Sequence, residues 1–134
     1  MTLSSVIGAL LLANASPAVS QYASPTIIGP ERLQIKAQPG QPLVLRCAAL
    51  TNCGGGDDVT LLYWLVNGSF PEDLRGGNRI TEFDTSTLEG GAIQTGSLLV
   101  RNVTLEDLDA TFTCVVINGV GMALKNVTLS APAH

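Results

Sequence analysis

The chain has 134 residues, 13% of them charged, and a formal net charge of −4. That length holds one domain with one modest core. An acidic balance with no Lys/Arg cluster argues against nucleic acid and anionic membrane surfaces, and leaves a basic protein partner open.

Residues 1–20 carry no charged side chain, and Val6–Leu12 (VIGALLL) is apolar. Ala18-Val19-Ser20 then offers small residues where a signal peptidase cuts, so 1–20 reads as a secretory signal ending before Gln21. The segment lacks the usual Lys or Arg at its start, and a plain disordered N-terminus is the alternative. Its apolar run is shorter than the ~20 residues a bilayer needs, and no other segment is long enough. The expected product is secreted, extracellular and soluble, unless the chain is a fragment. Residues 21–30 read as an N-terminal extension, 31–130 as the folded domain and 131–134 as a tail.

Arg32–Lys36 predicts a first strand, and Gln38-Pro39-Gly40-Gln41-Pro42 a turn after it. Leu43–Ala48 alternates apolar residues at Leu43, Leu45 and Cys47, the period of a half-buried strand. Asn52–Asp58 is a Gly/Asp loop holding Cys53. Val59–Val66 predicts a strand around Trp64, and Asn67-Gly68-Ser69 a turn. Phe70–Ala92 is long and weakly patterned, with room for short edge strands near Ile80–Phe83. Further strands are expected at Ser97–Val103, Ala110–Ile117 and Gly121–Leu129, the last two joined through Asn118-Gly119. No segment of useful length has helical period.

Cys47 and Cys114 both sit on inward rows, with Trp64 between them in sequence. Cys…Trp…Cys on such strands is the pattern of an immunoglobulin-like β-sandwich, an all-β fold in which the indole packs on an inter-sheet disulfide. Three pairings of Cys47, Cys53 and Cys114 are open, and strand geometry favours Cys47–Cys114. Cys53 is then a free thiol, a bridge to another chain, or a buried inert residue. Immunoglobulin domains place a tyrosine two residues before the second cysteine to hold the corner. Phe112 stands there without a hydroxyl, so that bond is lost or another group makes it.

Period two also sorts the tryptophan strand. With Trp64, Leu62 and Val66 facing inward, Val59, Leu61, Tyr63 and Leu65 face outward. A sandwich strand ordinarily alternates apolar-in with polar-out, so an outward apolar row needs a cover. A homodimer partner, the chain's own segments or a foreign protein each supply one. Phe70, just past the turn, reads as a core plug or a surface anchor. Glu72, Asp73, Glu82 and Asp84 read as an acidic rim around it or as a solvated loop.

Enzymatic chemistry finds no footing. The one histidine, His134, is terminal, and three cysteines offer no zinc spacing. Gly54-Gly55-Gly56 lacks a following Lys and helix, and Asp57-Asp58 is a thin basis for calcium. No cofactor and no metal are expected. Asn67, Asn102 and Asn126 are N-x-Ser/Thr glycosylation acceptors.

Tyr63-Trp64-Leu65, Asn67-Gly68-Ser69-Phe70, Glu72 and Leu74 resemble the secreted interleukin-18-binding proteins. The likeness runs more weakly over Leu43 to Leu129, and Phe112 fits this family. It implies a soluble decoy with one immunoglobulin domain that captures an interleukin-18-type cytokine and blocks its receptor. By position it implies Tyr63 and Phe70 as aromatic plugs for the cytokine, and Glu72 as an acidic contact. A third family aromatic falls on Val59, and the family's additional disulfides are not reproduced. The expected partner-binding set is Val59, Leu61, Tyr63, Leu65, Phe70 and Glu72. The alternative is a soluble or fragmentary receptor or adhesion domain that self-associates or belongs to a larger membrane protein.

Overall fold

A computed structural model describes residues 23–52 and 59–132. The expected signal segment, Cys53, the glycines and aspartates of its loop, and His134 lie outside those residues. Among the described residues eight strands form: β1 (Thr26–Gly29), β2 (Gln34–Lys36), β3 (Leu43–Leu50), β4 (Leu61–Val66), β5 (Ile80–Leu88), β6 (Ile93–Val100), β7 (Thr111–Ile117) and β8 (Met122–Ser130). One sheet runs β1-β3-β6-β5 and the other β2-β8-β7-β4, an immunoglobulin-like sandwich. All pairings are antiparallel except β2 with β8.

The core follows from alternation. Leu45, Cys47 and Ala49 of β3 are buried while Val44, Arg46 and Leu50 are exposed. Leu98 and Val100 of β6, Trp64 and Val66 of β4, and Phe112, Cys114 and Val116 of β7 meet them between the sheets. Cys47 and Cys114 are bonded, with Cα atoms 6.5 Å apart across 67 residues of sequence. In the chain-entropy model a loop of that length stabilises by about 4 kcal/mol. Gly96 pairs with Cys47 in register and leaves room beside it for Leu62. The fully buried Trp64 donates its ring N–H to the Gly96 carbonyl, 3.3 Å away.

Several elements depart from expectation. The stretch read as an extension contains β1, whose Ile27 packs against the core. The weakly patterned region yields one nine-residue strand, β5, bulged between Phe83 and Ser86. Strand β4 starts at Leu61, so Val59 precedes it. Asn118-Gly119 belongs to a four-residue link in which Asn118 is buried and works through its side chain. Its Oδ1 accepts from Val120 and Gly121 N–H, and its Nδ2 donates to the carbonyls of Ala23 and Thr51. The tight turn is instead Asn67-Gly68, both residues at positive φ (51° and 81°). Val66 and Ser69 exchange N–H and C=O bonds across it, as an Asn-Gly hairpin requires.

The corner that lacks a tyrosine is held by Asp107. Its carboxylate accepts from Thr104 N–H (2.8 Å) and from both Arg79 nitrogens (2.7 and 3.0 Å). Burial, the largest influence on Asp107, raises its pKa, but these donors together outweigh it and hold it below the usual carboxylate value. Phe112 can then be spent wholly on the core, where it is fully buried.

Candidate protein-docking face

The outer face of β2-β8-β7-β4 is built in rows by the strand register. Leu61, Ile117 and Met122 form one row, and Tyr63, Val115 and Leu124 the next. Leu65, Thr113 and Asn126 form the third, followed by Thr111 and Thr128. The first two rows hold only apolar or aromatic side chains, and none of the three rows holds a charge. Leu61 is 56% exposed, and Met122 and Leu124 are exposed as well. Val115, at the centre, is only 3% exposed yet lies outside the inter-sheet core cluster. Tyr63 and Leu124 flank it in register on the neighbouring strands.

Phe70 joins this face through the turn. The Asn67-Gly68 hairpin folds the chain back beside β4, and Asn67 pins it to β7. Its N–H donates to the Thr111 carbonyl, and its Oδ1 accepts from Thr111 N–H at 2.9 Å. Phe70 follows in extended conformation, and the buried Pro71 then opens a 3-10 turn, Pro71–Asp73. The Phe70 ring stays 43% exposed and packs on Tyr63, with centroids 5.6 Å apart and planes tilted by 43°. Such a tilted pair is favourable in itself and fixes both rings.

Of the six residues expected at a partner interface, Leu61, Tyr63 and Leu65 lie on this face and Phe70 adjoins it. Tyr63 and Leu65 are half-buried. Val59 is exposed ahead of the strand, and Glu72 is exposed in the 3-10 turn. The acidic residues do not form one rim. Glu82 is on the inward row of β5, and its Oε1 accepts the Trp64 backbone N–H at 2.7 Å, closing part of the free edge of β4. Burial raises the Glu82 pKa, the Trp64 bond opposes that, and Glu72 nearby raises it further; the net shift is upward. Asp84, at positive φ in the β5 bulge, pairs loosely at 4.0 Å with Arg46 on β3 of the same sheet.

Sequence reading missed the half of the face that β7 and β8 supply. With Cys114 on the inward row, period two sets Val115 and Ile117 outward. The register agrees, pairing Val116 with Leu62 and Val115 with Tyr63. Met122 and Leu124 alternate with Ala123 and Lys125, a signal that period two would have carried. The expected glycosylation acceptors Asn67, Asn102 and Asn126 are all exposed. Among the described residues no group of three His, Cys, Asp or Glu side chains could hold a metal ion. Among them, too, no helix is long and apolar enough to cross a membrane.

A family model described as immunoglobulin domain matches residues 34–127. Among solved structures, the chain resembles Dpr2 Ig1-Ig2 in complex with DIP-Theta Ig1-Ig3, at 21% identity and TM-score 0.63, over 83% of this chain and 33% of that one. It also resembles tandem immunoglobulin domains of titin, at 16% identity and TM-score 0.60, over 83% of this chain and 50% of that one. The eight N-terminal immunoglobulin domains of Down Syndrome Cell Adhesion Molecule match at 19% identity and TM-score 0.58, over 80% and 14%. The chain thus spans half or less of the length of each of these, and the likeness is one of fold. With the family model covering both core cysteines and Trp64, the chain belongs to the immunoglobulin domain family.

Proposed function

We propose that this domain is a secreted capture module that binds a protein on the outer face of β4, β7 and β8, with an interleukin-18-type cytokine as its partner. The observation that carries the reading is the Tyr63–Phe70 ring pair, seated outside the core beside two charge-free apolar rows. Aromatic anchors on a rigid sheet are the usual source of binding energy at protein interfaces, because they bury large area at little entropic cost. The match of Tyr63-Trp64-Leu65 and Asn67-Gly68-Ser69-Phe70 to the interleukin-18-binding proteins supports the choice of partner. A disulfide at the centre of the fold supports an oxidising, extracellular setting. Capture would work by occlusion: the bound domain covers a receptor-binding surface of the cytokine and transmits no signal. No catalytic step is part of this function. The test is binding of the purified glycoprotein to an interleukin-18-type cytokine by biolayer interferometry. Micromolar or tighter binding is expected, and no binding in that range overturns the choice of partner.

A second reading has its own observation in favour. Rows one and two are apolar and uncharged, so a second copy can stack on them about a two-fold axis. Sedimentation showing a tight dimer of the isolated protein would select that reading, in which the chain is a self-associating receptor or adhesion domain.

A further inference from the structure

We propose that Asn126 carries an N-linked oligosaccharide standing on the outer face itself, which roofs the third row and confines docking to the first two rows and Phe70. Asn126 is one of three acceptors in the described chain, but its position differs from the others. Asn67 sits in the hairpin beyond the end of β4, and Asn102 lies past the end of β6. Asn126 lies inside β8, directly across from Thr113 and one row below Leu124. Its exposed side chain therefore rises from the same surface as Tyr63 and Leu65.

Two features fit a sugar there. The Thr113 hydroxyl donates to Asn126 Oδ1 at 2.6 Å, which fixes the amide plane and leaves Nδ2, the atom that accepts the sugar. The surrounding outer positions on β7 and β8 are Thr111, Thr113 and Thr128, short hydroxyl side chains that leave space and offer hydrogen bonds. The face changes from apolar to this hydroxyl-lined surface at the row that Asn126 occupies.

In the transfer, Asn126 Nδ2 forms a bond to C1 of the first N-acetylglucosamine. The bond from C1 to the pyrophosphate oxygen of a lipid-linked oligosaccharide donor breaks. The lipid pyrophosphate leaves with the electron pair, and the amide nitrogen gives up one proton. Neighbouring strands are roughly 4.8 Å apart, and second neighbours along a strand roughly 6.8 Å, so the first sugar reaches Leu124 and approaches Leu65. A partner lying flat over all three rows is excluded, and with it a face-to-face dimer of the whole sheet. A partner engaging Leu61, Tyr63, Met122 and Phe70 is not. Only this consequence for docking rests on the function proposed above; the modification and the shielding stand without it.

The test uses the full chain expressed through a eukaryotic secretory route. Deglycosylation in 18O water tags each occupied asparagine for peptide mass spectrometry, and Asn126 is expected to be tagged. Thr128→Ala removes the acceptor motif at an exposed position while keeping Asn126 and its Thr113 bond. Hydroxyl-radical footprinting should then show Leu124 and Leu65 labelled about twofold more in the variant, since a bulky surface glycan no longer shields them. Met122, in the far row, should not change. An untagged Asn126 beside a tagged Asn67 or Asn102 overturns the proposal, as does equal labelling of Leu124 and Leu65 in both proteins. Absence of sugar at all three acceptors overturns it together with the secreted reading. Failure of the cytokine to bind either form leaves tagging and labelling untouched, and counts against the docking reading alone.

Discussion

Replacing Asp107 with asparagine tests how the tyrosine-free corner is held. The substitution keeps shape and one acceptor oxygen but removes the charge that receives two Arg79 donors and the Thr104 N–H. Losing a partner from a fully buried ion pair costs 3–5 kcal/mol, roughly. Here the Asp107 side chain is 5% exposed but that of Arg79 is 28% exposed, so water can take up part of the guanidinium. The expected cost is therefore about 2 kcal/mol near neutral pH, the size of a charge-assisted hydrogen bond with little compensation. For a domain of this size that lowers Tm by roughly 8–16 °C. The pH dependence has a fixed sign. A carboxyl whose folded pKa is lowered stabilises above its unfolded pKa, and that contribution fades as pH falls through the folded value. The gap between wild type and Asp107→Asn should thus be full at neutral pH and close in strong acid. Urea unfolding followed by the fluorescence of Trp64, the one tryptophan, reads it directly. A gap under about 0.5 kcal/mol at neutral pH, or one that persists where Asp107 is protonated, would refute the assignment.

Glu82→Gln should be neutral or stabilising at neutral pH, because the amide still accepts the Trp64 N–H without a partly buried charge. The raised Glu82 pKa means that wild type gains on this variant as pH falls and loses that gain as pH rises through the folded value. A neutral-pH loss above about 1 kcal/mol in urea melts would contradict this. Asn118→Ala should cost about 2–3 kcal/mol, since it removes the buried side-chain bond to the Thr51 carbonyl and the part-buried bonds to Ala23, Val120 and Gly121 backbone groups. Loss of protection at Val120 and Gly121 amides in hydrogen exchange would localise the effect, and an unchanged melt would remove Asn118 as the hub.

What was legible in the sequence was whatever local periodicity controls. The alternation around Cys47 and Cys114, with Trp64 between, is a direct imprint of two half-buried strands, and it carried both the sandwich and the bridge. Strand β1 was not legible, because Thr26–Gly29 is four residues long with two exposed positions and is held by pairing with β3. Strand β5 was hidden for a related reason. Its sequence ITEFDTSTL is mostly polar and exposed, and the bulge breaks its period. The outward row of β4 was readable because Trp64 fixed the phase. The matching rows of β7 and β8 obey the same rule at Val115, Met122 and Leu124, but which strand lies beside β4 is set by long-range pairing and not by local period. Glu82 could not be read at all, since its bond to the β4 edge joins residues 18 apart in sequence on different sheets.

The most direct measurement is the affinity of the purified protein for an interleukin-18-type cytokine, before and after Phe70→Ala and Tyr63→Ala, set beside the urea midpoint of each variant. If the ring pair is the anchor, each change weakens binding about 30-fold, or about 2 kcal/mol, while Phe70→Ala barely moves the unfolding midpoint. Undiminished affinity in both variants, or a collapse of stability on trimming Phe70, would contradict a docking role for this face.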